Sequence, residues 1–158
     1  EKEYNRSAHS RALFIDTSLS DTIYNLLCLN QVRKAAKLKS DFKVPDKRYW
    51  WLRLRALTKM HQWDELEKFS REKKSPIGYK PFVDMAMAEG AANEAAKYII
   101  RLPTLPERAQ AYMSINYHRE AADLAVQMRD DALIAELKAI MDERDRPFLD
   151  NLLKSIQS

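Results

Sequence analysis

Residues 42–79 read FKVPDKRYWWLRLRALTKMHQWDELEKFSREKKSPIGY. This stretch holds all three tryptophans of the chain, Trp50, Trp51 and Trp63, together with its densest basic content. It reads as two helices joined by a short turn, over about 46–60 and 62–72. Pro45 sets an entry φ of about −65°, which suits a first helical turn. Asp46 places a carboxylate at the positive end of the first helix. Ser75-Pro76 and Gly78 close the pair. On a helical wheel the first helix has two apolar faces, one with Trp50, Trp51, Leu54 and Leu57, the other with Tyr49, Ala56 and Met60. An inner helix that touches neighbours on two sides has this pattern. Between the faces, Arg48, Leu52, Arg55 and Lys59 fall on one stripe, a basic row with one leucine in it. Such a stripe is a candidate anchor for a protein partner, because arginine pairs bidentately with carboxylates and is enriched at binding hot spots.

Outward from this pair the composition stays helical. The chain has 158 residues with only two glycines and six prolines. Leu, Ala, Lys, Glu and Arg dominate, and the Val, Ile and Thr content is too thin for a substantial sheet. Its length fits one domain or a short run of repeats. Cys28 is the single cysteine, which excludes an internal disulfide and any cysteine-rich zinc site. It stands in the apolar run Leu26-Leu27-Cys28-Leu29 and reads as a small core residue. No apolar run reaches the roughly 20 residues needed to span a bilayer. The N-terminus has no signal-peptide pattern and reads as a start inside a longer protein. Charge is unevenly placed: residues 1–80 hold 18 Lys/Arg against 10 Asp/Glu, and residues 81–158 hold 9 against 13. The basic half is able to steer an acidic partner.

Along the chain, Leu13, Phe14 and Ile15 suggest a helix end. Ser18 or Ser20 is a candidate cap for a helix through Leu29, and Asn30 marks a tight turn. A helix follows over about 31–40. After the central pair, Pro81 opens a helix that ends at Gly90, and residues 91–102 form its partner. Thr104-Leu105-Pro106-Glu107 is a capping box. Helices are expected to about residue 115, over 117–128 and over 130–142. Polar residues 143–146 precede a last amphipathic segment from Pro147. The domain reading is a solenoid region over 1–142, which would bind the partner, and a polar linker with a last helix over 143–158. A weak repeat aligns Ala35, Leu66, Ala95 and Ala121, stepping by 31, 29 and 26 residues. One αα-hairpin cannot bury its apolar face alone, whereas a stack can. The drifting period favours an all-α fold, an irregular α-solenoid of stacked αα-hairpins. An ordinary helical bundle is the alternative.

Chemistry is sparse. His9, His61 and His118 are far apart and lack ligand spacing for a metal. There is no glycine-rich phosphate loop and no nucleophile elbow around Ser75. Carboxylate pairs such as Asp64/Glu65 and Asp130/Asp131 lie in first helical turns, where the dipole accounts for them. No catalysis and no cofactor are expected. Trp50 and Trp51 beside arginines leave open a basic helical module that stacks on nucleic acid, although no nucleic-acid motif accompanies them. Direct binding to acidic lipid is a third possibility, weakened because the basic residues interleave with apolar faces.

Phe42–Trp51 (FKVPDKRYWW), Trp63–Ser70 (WDELEKFS) and Lys73–Val83 (KKSPIGYKPFV) resemble the C-terminal region of the Vps sixteen family. That family belongs to the vacuolar protein sorting tethers HOPS and CORVET. Residues 92–101 and the Ala-Ala-Asp of 121–123 continue the resemblance, which covers roughly residues 19–140. It implies an α-solenoid and a non-enzymatic scaffold. It also implies recruitment of the Sec/Munc-family subunit Vps thirty-three, which works on membrane-fusion SNARE bundles. Other HOPS and CORVET subunits would be further partners, SNAREs indirect ones, and nucleic acid none. The protein would be cytoplasmic and peripheral at vacuole or late-endosome membranes, reached only through the complex. In the family, the early helices and the arginine of the Pro-Asp-Lys-Arg string, here Arg48, lie at the partner interface. Extending that interface to Leu52, Arg55 and Lys59 rests on the stripe alone.

Overall fold

The computed structural model describes residues 17–157, and in these it contains helices and turns with no strand. Residues 17–28 form α1. The later helices are α2 Val32–Asp41, α3 Asp46–Lys59, α4 Trp63–Ser70, α5 Lys80–Ala88, α6 Ala92–Ile99, α7 Leu105–Ser114, α8 His118–Met128, α9 Asp131–Ile140 and α10 Arg146–Gln157. The chain divides between Gly78 and Tyr79 into two compact units. Consecutive helices pair as αα-hairpins within each unit, so the all-α, solenoid-like reading holds. The helix end expected at Leu13–Ile15 lies outside the described residues. Ser18 and Ser20 are already inside α1, and the Ser18 carbonyl accepts from Thr22 Oγ1 at 2.8 Å. Neither serine is therefore the cap the sequence suggested.

The sequence repeat has a backbone cause. Asn30, His61, Gly90 and Asn116 all have positive φ, between 54° and 73°. Each ends the first helix of a hairpin. The next residue's N–H reaches back to a carbonyl five residues earlier: Gln31 to Leu26 at 2.8 Å, Gln62 to Leu57 at 2.9 Å, Ala91 to Ala86 at 3.0 Å and Tyr117 to Tyr112 at 2.9 Å. The left-handed residue's own N–H bonds three residues back, as in Asn30 to Leu27 at 3.0 Å and Gly90 to Met87 at 2.9 Å. This is the Schellman closure, which satisfies carbonyls that the helix end would otherwise orphan. Five residues after each turn stand Ala35, Leu66, Ala95 and Ala121, all with no solvent exposure. Identical turns fix where the second helix starts, so the same position in each is pressed against the first helix.

In the first unit, Ile23 and Leu27 of α1, Ala35 of α2, Val44, and Tyr49, Leu52 and Ala56 of α3 form one core. Cys28 packs partly buried against it. In the second unit the main core joins Ala109 of α7, Ala121, Ala122, Ala125 and Val126 of α8, Leu133, Ile134 and Leu137 of α9, Met141, and Leu149 of α10. The alanines on α8 allow three neighbours to approach one helix closely. Thr104 accepts a hydrogen bond from the Glu107 backbone N–H at 3.3 Å, the threonine half of the expected capping box at the start of α7.

Candidate partner-binding surface

α3 begins where α2 has been closed off. Val44 N–H bonds to the Lys39 carbonyl at 2.9 Å, and Pro45 at φ −58° and ψ 144° redirects the chain. Proline has no N–H to leave unpaired at that point. The first residue of α3, Asp46, receives Lys39 Nζ at 3.3 Å and is also paired with Lys73 from the loop after α4. The hydrogen bond from Lys73 holds the Asp46 carboxyl below the usual carboxylate range, with Lys39 adding to the effect.

The inner side of α3 is built around Trp50, 3% exposed, whose ring centroid lies 4.1 Å from that of Phe69 on α4. Arg53 covers the other part of Phe69, its guanidinium carbon 4.3 Å from the ring centroid. It also donates twice to the Glu72 carboxylate, at 3.0 and 2.9 Å. Arg53 is thereby committed to holding α3 and the end of α4 together. Tyr49 is buried, its hydroxyl has no hydrogen-bond partner among the described residues, and burial raises its pKa.

The stripe emerges with one change. Arg48, Arg55 and Lys59 are all exposed. Arg48 and Lys59 make no hydrogen bond or ion pair with a described residue, while the Arg55 guanidinium carbon sits 5.2 Å from the Tyr24 ring centroid. Leu52 does not face outward. It is 7% exposed and packs in the core with Ile23, Leu27 and Ala35. Its expected role at the surface is corrected accordingly: the α1–α2 hairpin covers the side of α3 that carries it. In its place stands Trp51, which is 41% exposed although the wheel assigns it to a buried face. Met60, also assigned inward, is 49% exposed at the helix end. The exposed row is Arg48, Trp51, Arg55 and Lys59, a basic row interrupted by an indole. The only sequence signal for Trp51 was its position three residues after Arg48 and four before Arg55.

Elsewhere the described residues offer little reactive chemistry. A groove of about 370 Å³ in the second unit is lined by Val83, Leu102, Pro106 and Ala111, with Glu107 and the Lys80–Asp84 pair at its rim. Its hydroxyl, Ser114, is spent on the Ala111 carbonyl at 2.7 Å. No group of three His, Cys, Asp or Glu side chains placed to hold a metal occurs among the described residues. His61 lies in a hairpin turn and stacks on Trp63, with centroids 5.6 Å apart. No helix among the described residues is long and apolar enough to cross a membrane.

Residues 3–156 match the family described as Vps16, C-terminal region. Among curated proteins, a vacuolar protein sorting-associated protein 16 homolog of Dictyostelium discoideum is 47% identical over 121 residues, 77% of this chain and 14% of that protein. The protein VACUOLELESS1 of Arabidopsis thaliana is 44% identical over 126 residues, 80% of this chain and 15% of that protein. A vacuolar protein sorting-associated protein 16 homolog of Drosophila melanogaster is 43% identical over 121 residues, 77% of this chain and 14% of that protein. The matched part of the chain thus spans about a seventh of the length of these relatives. With nearly all of its length matched, the chain belongs to the Vps16, C-terminal region, family.

Proposed function

We propose that this chain is a non-enzymatic scaffold segment acting in vacuolar protein sorting, which recruits the Sec/Munc-family subunit Vps thirty-three into the HOPS and CORVET tethers. Its site of action is the cytoplasmic side of vacuole and late-endosome membranes. Other tether subunits are its neighbours there, and SNARE bundles are reached through the recruited subunit. The docking surface is the outer row of α3, with Arg48, Arg55 and Lys59 as its charged members and Trp51 in place of Leu52.

The observation that carries this reading is the state of Arg48: an exposed arginine with no described partner, on a helix whose other arginine near it, Arg53, is fully engaged by Glu72. A free guanidinium is ready to form a bidentate pair with a partner's carboxylate. Trp51 supplies the large apolar area that hot spots use, and α3 is rigidly held from behind by Trp50 and Arg53, so little ordering cost is left for binding. The family membership supports the choice of partner. The alternative, a nucleic-acid module, would need a row of rings on which bases stack; the outer row of α3 has one.

Calorimetric titration of the chain with its cognate Vps thirty-three protein tests the proposal. A saturable complex of fixed stoichiometry is the expected result. No heat and no comigration on a sizing column, with both proteins folded, would end it.

A further inference from the structure

A second charged surface lies in the first unit, at the edge where α2 runs into α3, and it differs in kind from the outer row of α3. Asp46 holds two ammonium groups, Lys39 from α2 and Lys73 from the loop after α4. One carboxylate neutralises only one of them. Lys43, Lys47 and Lys74 flank this triad in sequence, are exposed, and make no ion pair with a described residue. Of the acids beside them in sequence, Glu72 is paired with Arg53 and Asp46 with Lys39 and Lys73, and neither Asp41 nor any other described acid forms an ion pair with them. Phe42, which caps the end of α2 and precedes Lys43 in the chain, is 59% exposed. Lys43 after it has φ 52°, a left-handed turn that closes α2 through Val44 N–H to the Lys39 carbonyl at 2.9 Å.

We propose that this edge docks directly on an anionic lipid surface, the lysines among the headgroups and the Phe42 ring in the interface. Side-chain chemistry argues for lipid over a protein carboxylate. The two arginines of the exposed row, with their planar forks, lie on the outer face of α3, whereas this edge is made of lysines. Lysine is a compact, mobile charge suited to a diffuse array of phosphates rather than to one bidentate pair. A cluster of lysines next to an exposed aromatic residue is the pattern by which peripheral proteins add electrostatic attraction to shallow apolar insertion. Asp46 contributes by gathering Lys39 and Lys73 from separate segments into one place. The proposal goes beyond recruitment of a protein partner and departs from the expectation that the membrane is reached only through the complex, since it gives the chain its own contact with the membrane.

Cosedimentation with vesicles tests it. The full chain is mixed with vesicles of phosphatidylcholine containing about one-third phosphatidylserine, and with vesicles of phosphatidylcholine alone. Binding to the anionic vesicles only, weakening as salt rises through the range that screens surface charge, is expected. Reversing Lys43, Lys47 and Lys74 to Glu together is expected to weaken vesicle binding about tenfold or more, because each lysine near the surface contributes separately. The control is the same change of charge at Arg48, Arg55 and Lys59. It is expected to leave the larger part of vesicle binding in place. Phe42→Ser, which removes no charge, is expected to weaken binding at every salt concentration and serves if the triple variant does not fold. The proposal is overturned if the wild-type chain ignores anionic vesicles, if both triple variants lose binding equally, or if Phe42→Ser binds as wild type. A single-stranded oligonucleotide that binds more tightly than the vesicles in the same buffer would also overturn it.

Discussion

Trp50 and Trp51 are adjacent in the chain and serve different faces of α3. Trp50 is 3% exposed against Phe69, and Trp51 is 41% exposed between the exposed Arg48 and Arg55. A one-residue step on a helix turns a side chain by about 100°, enough to move it from the α4 interface to the outer row. Trp50→Ala is expected to destabilise the chain by about 3–5 kcal/mol, the usual cost of emptying a large aromatic site. Trp51→Ala is expected to cost less than about 1 kcal/mol in stability, because few of its contacts are lost to a cavity. Urea unfolding of both variants, followed by circular dichroism, measures the difference; equal losses would contradict the assignment of inner and outer faces.

Tyr49 carries a buried hydroxyl without a described partner. Removing an unsatisfied buried polar atom costs no hydrogen bond and relieves its desolvation. Tyr49→Phe is therefore expected to leave stability unchanged or to raise it by up to about 1 kcal/mol. The pH dependence follows from burial, which raises the pKa of this phenol from its ordinary 10.0. The folded state favours the protonated form, so this contribution is whole below the ordinary phenol value. It is lost as pH rises from there through the folded value. The tyrosinate absorbance of wild type and Tyr49→Phe, titrated in parallel, should differ by a late-titrating phenol.

Asp46 works in the opposite direction on the acid side. Its folded pKa is depressed by Lys73 first and Lys39 second. The stabilisation it gives is present above the ordinary carboxylate value and disappears as pH falls through the lowered one. Asp46→Asn should remove that part of the acid transition. The loss at neutral pH is expected to be modest, about 1 kcal/mol or less, because both salt bridges are solvated. It should shrink further in high salt. Thermal melts at two pH values and two salt concentrations are sufficient.

The hairpin turns give a separate test. His61 and Arg129 sit at φ 54° and 53°, the left-handed region in which a Cβ crowds the following carbonyl. His61→Gly and Arg129→Gly are each expected to stabilise the chain by a fraction of a kcal/mol up to about 1 kcal/mol, since the relief of left-handed strain outweighs the added freedom of the unfolded chain. Gly90, at φ 73°, has nothing within 4 Å of where a Cβ would stand. Gly90→Ala should therefore be destabilising, by about 1 kcal/mol, through backbone strain alone. Melting temperatures of the three variants decide it.

These turns also show what the sequence could and could not convey. The steps between Ala35, Leu66, Ala95 and Ala121 were legible because close helix contact selects alanine or leucine at those positions. Asn30 and Gly90 announced their turns by chemistry. His61, Lys43 and Arg129 did not: each is exposed, and its left-handed turn is held by backbone hydrogen bonds at the helix end that do not depend on its side chain. The exposed face of α3 was legible in part for a different reason. Arg48, Arg55 and Lys59 are charged and face water wherever α3 packs. Leu52 and Trp51 differ by one position, and only the placement of the α1–α2 hairpin decides which is covered. A wheel for α3 alone contains no information about that neighbour.

In the proposed docking mode, the outer row of α3 receives the Sec/Munc partner with Arg48 as a charge-paired contact. The most direct measurement is the affinity of Arg48→Glu for Vps thirty-three, titrated beside wild type and Trp51→Ala under one salt condition, with the melting temperature of each variant taken first. Under this docking mode an unchanged fold is expected, with a loss of binding of more than about 2 kcal/mol for Arg48→Glu and a smaller but clear loss for Trp51→Ala. Wild-type affinity in Arg48→Glu, with the fold intact, would contradict it.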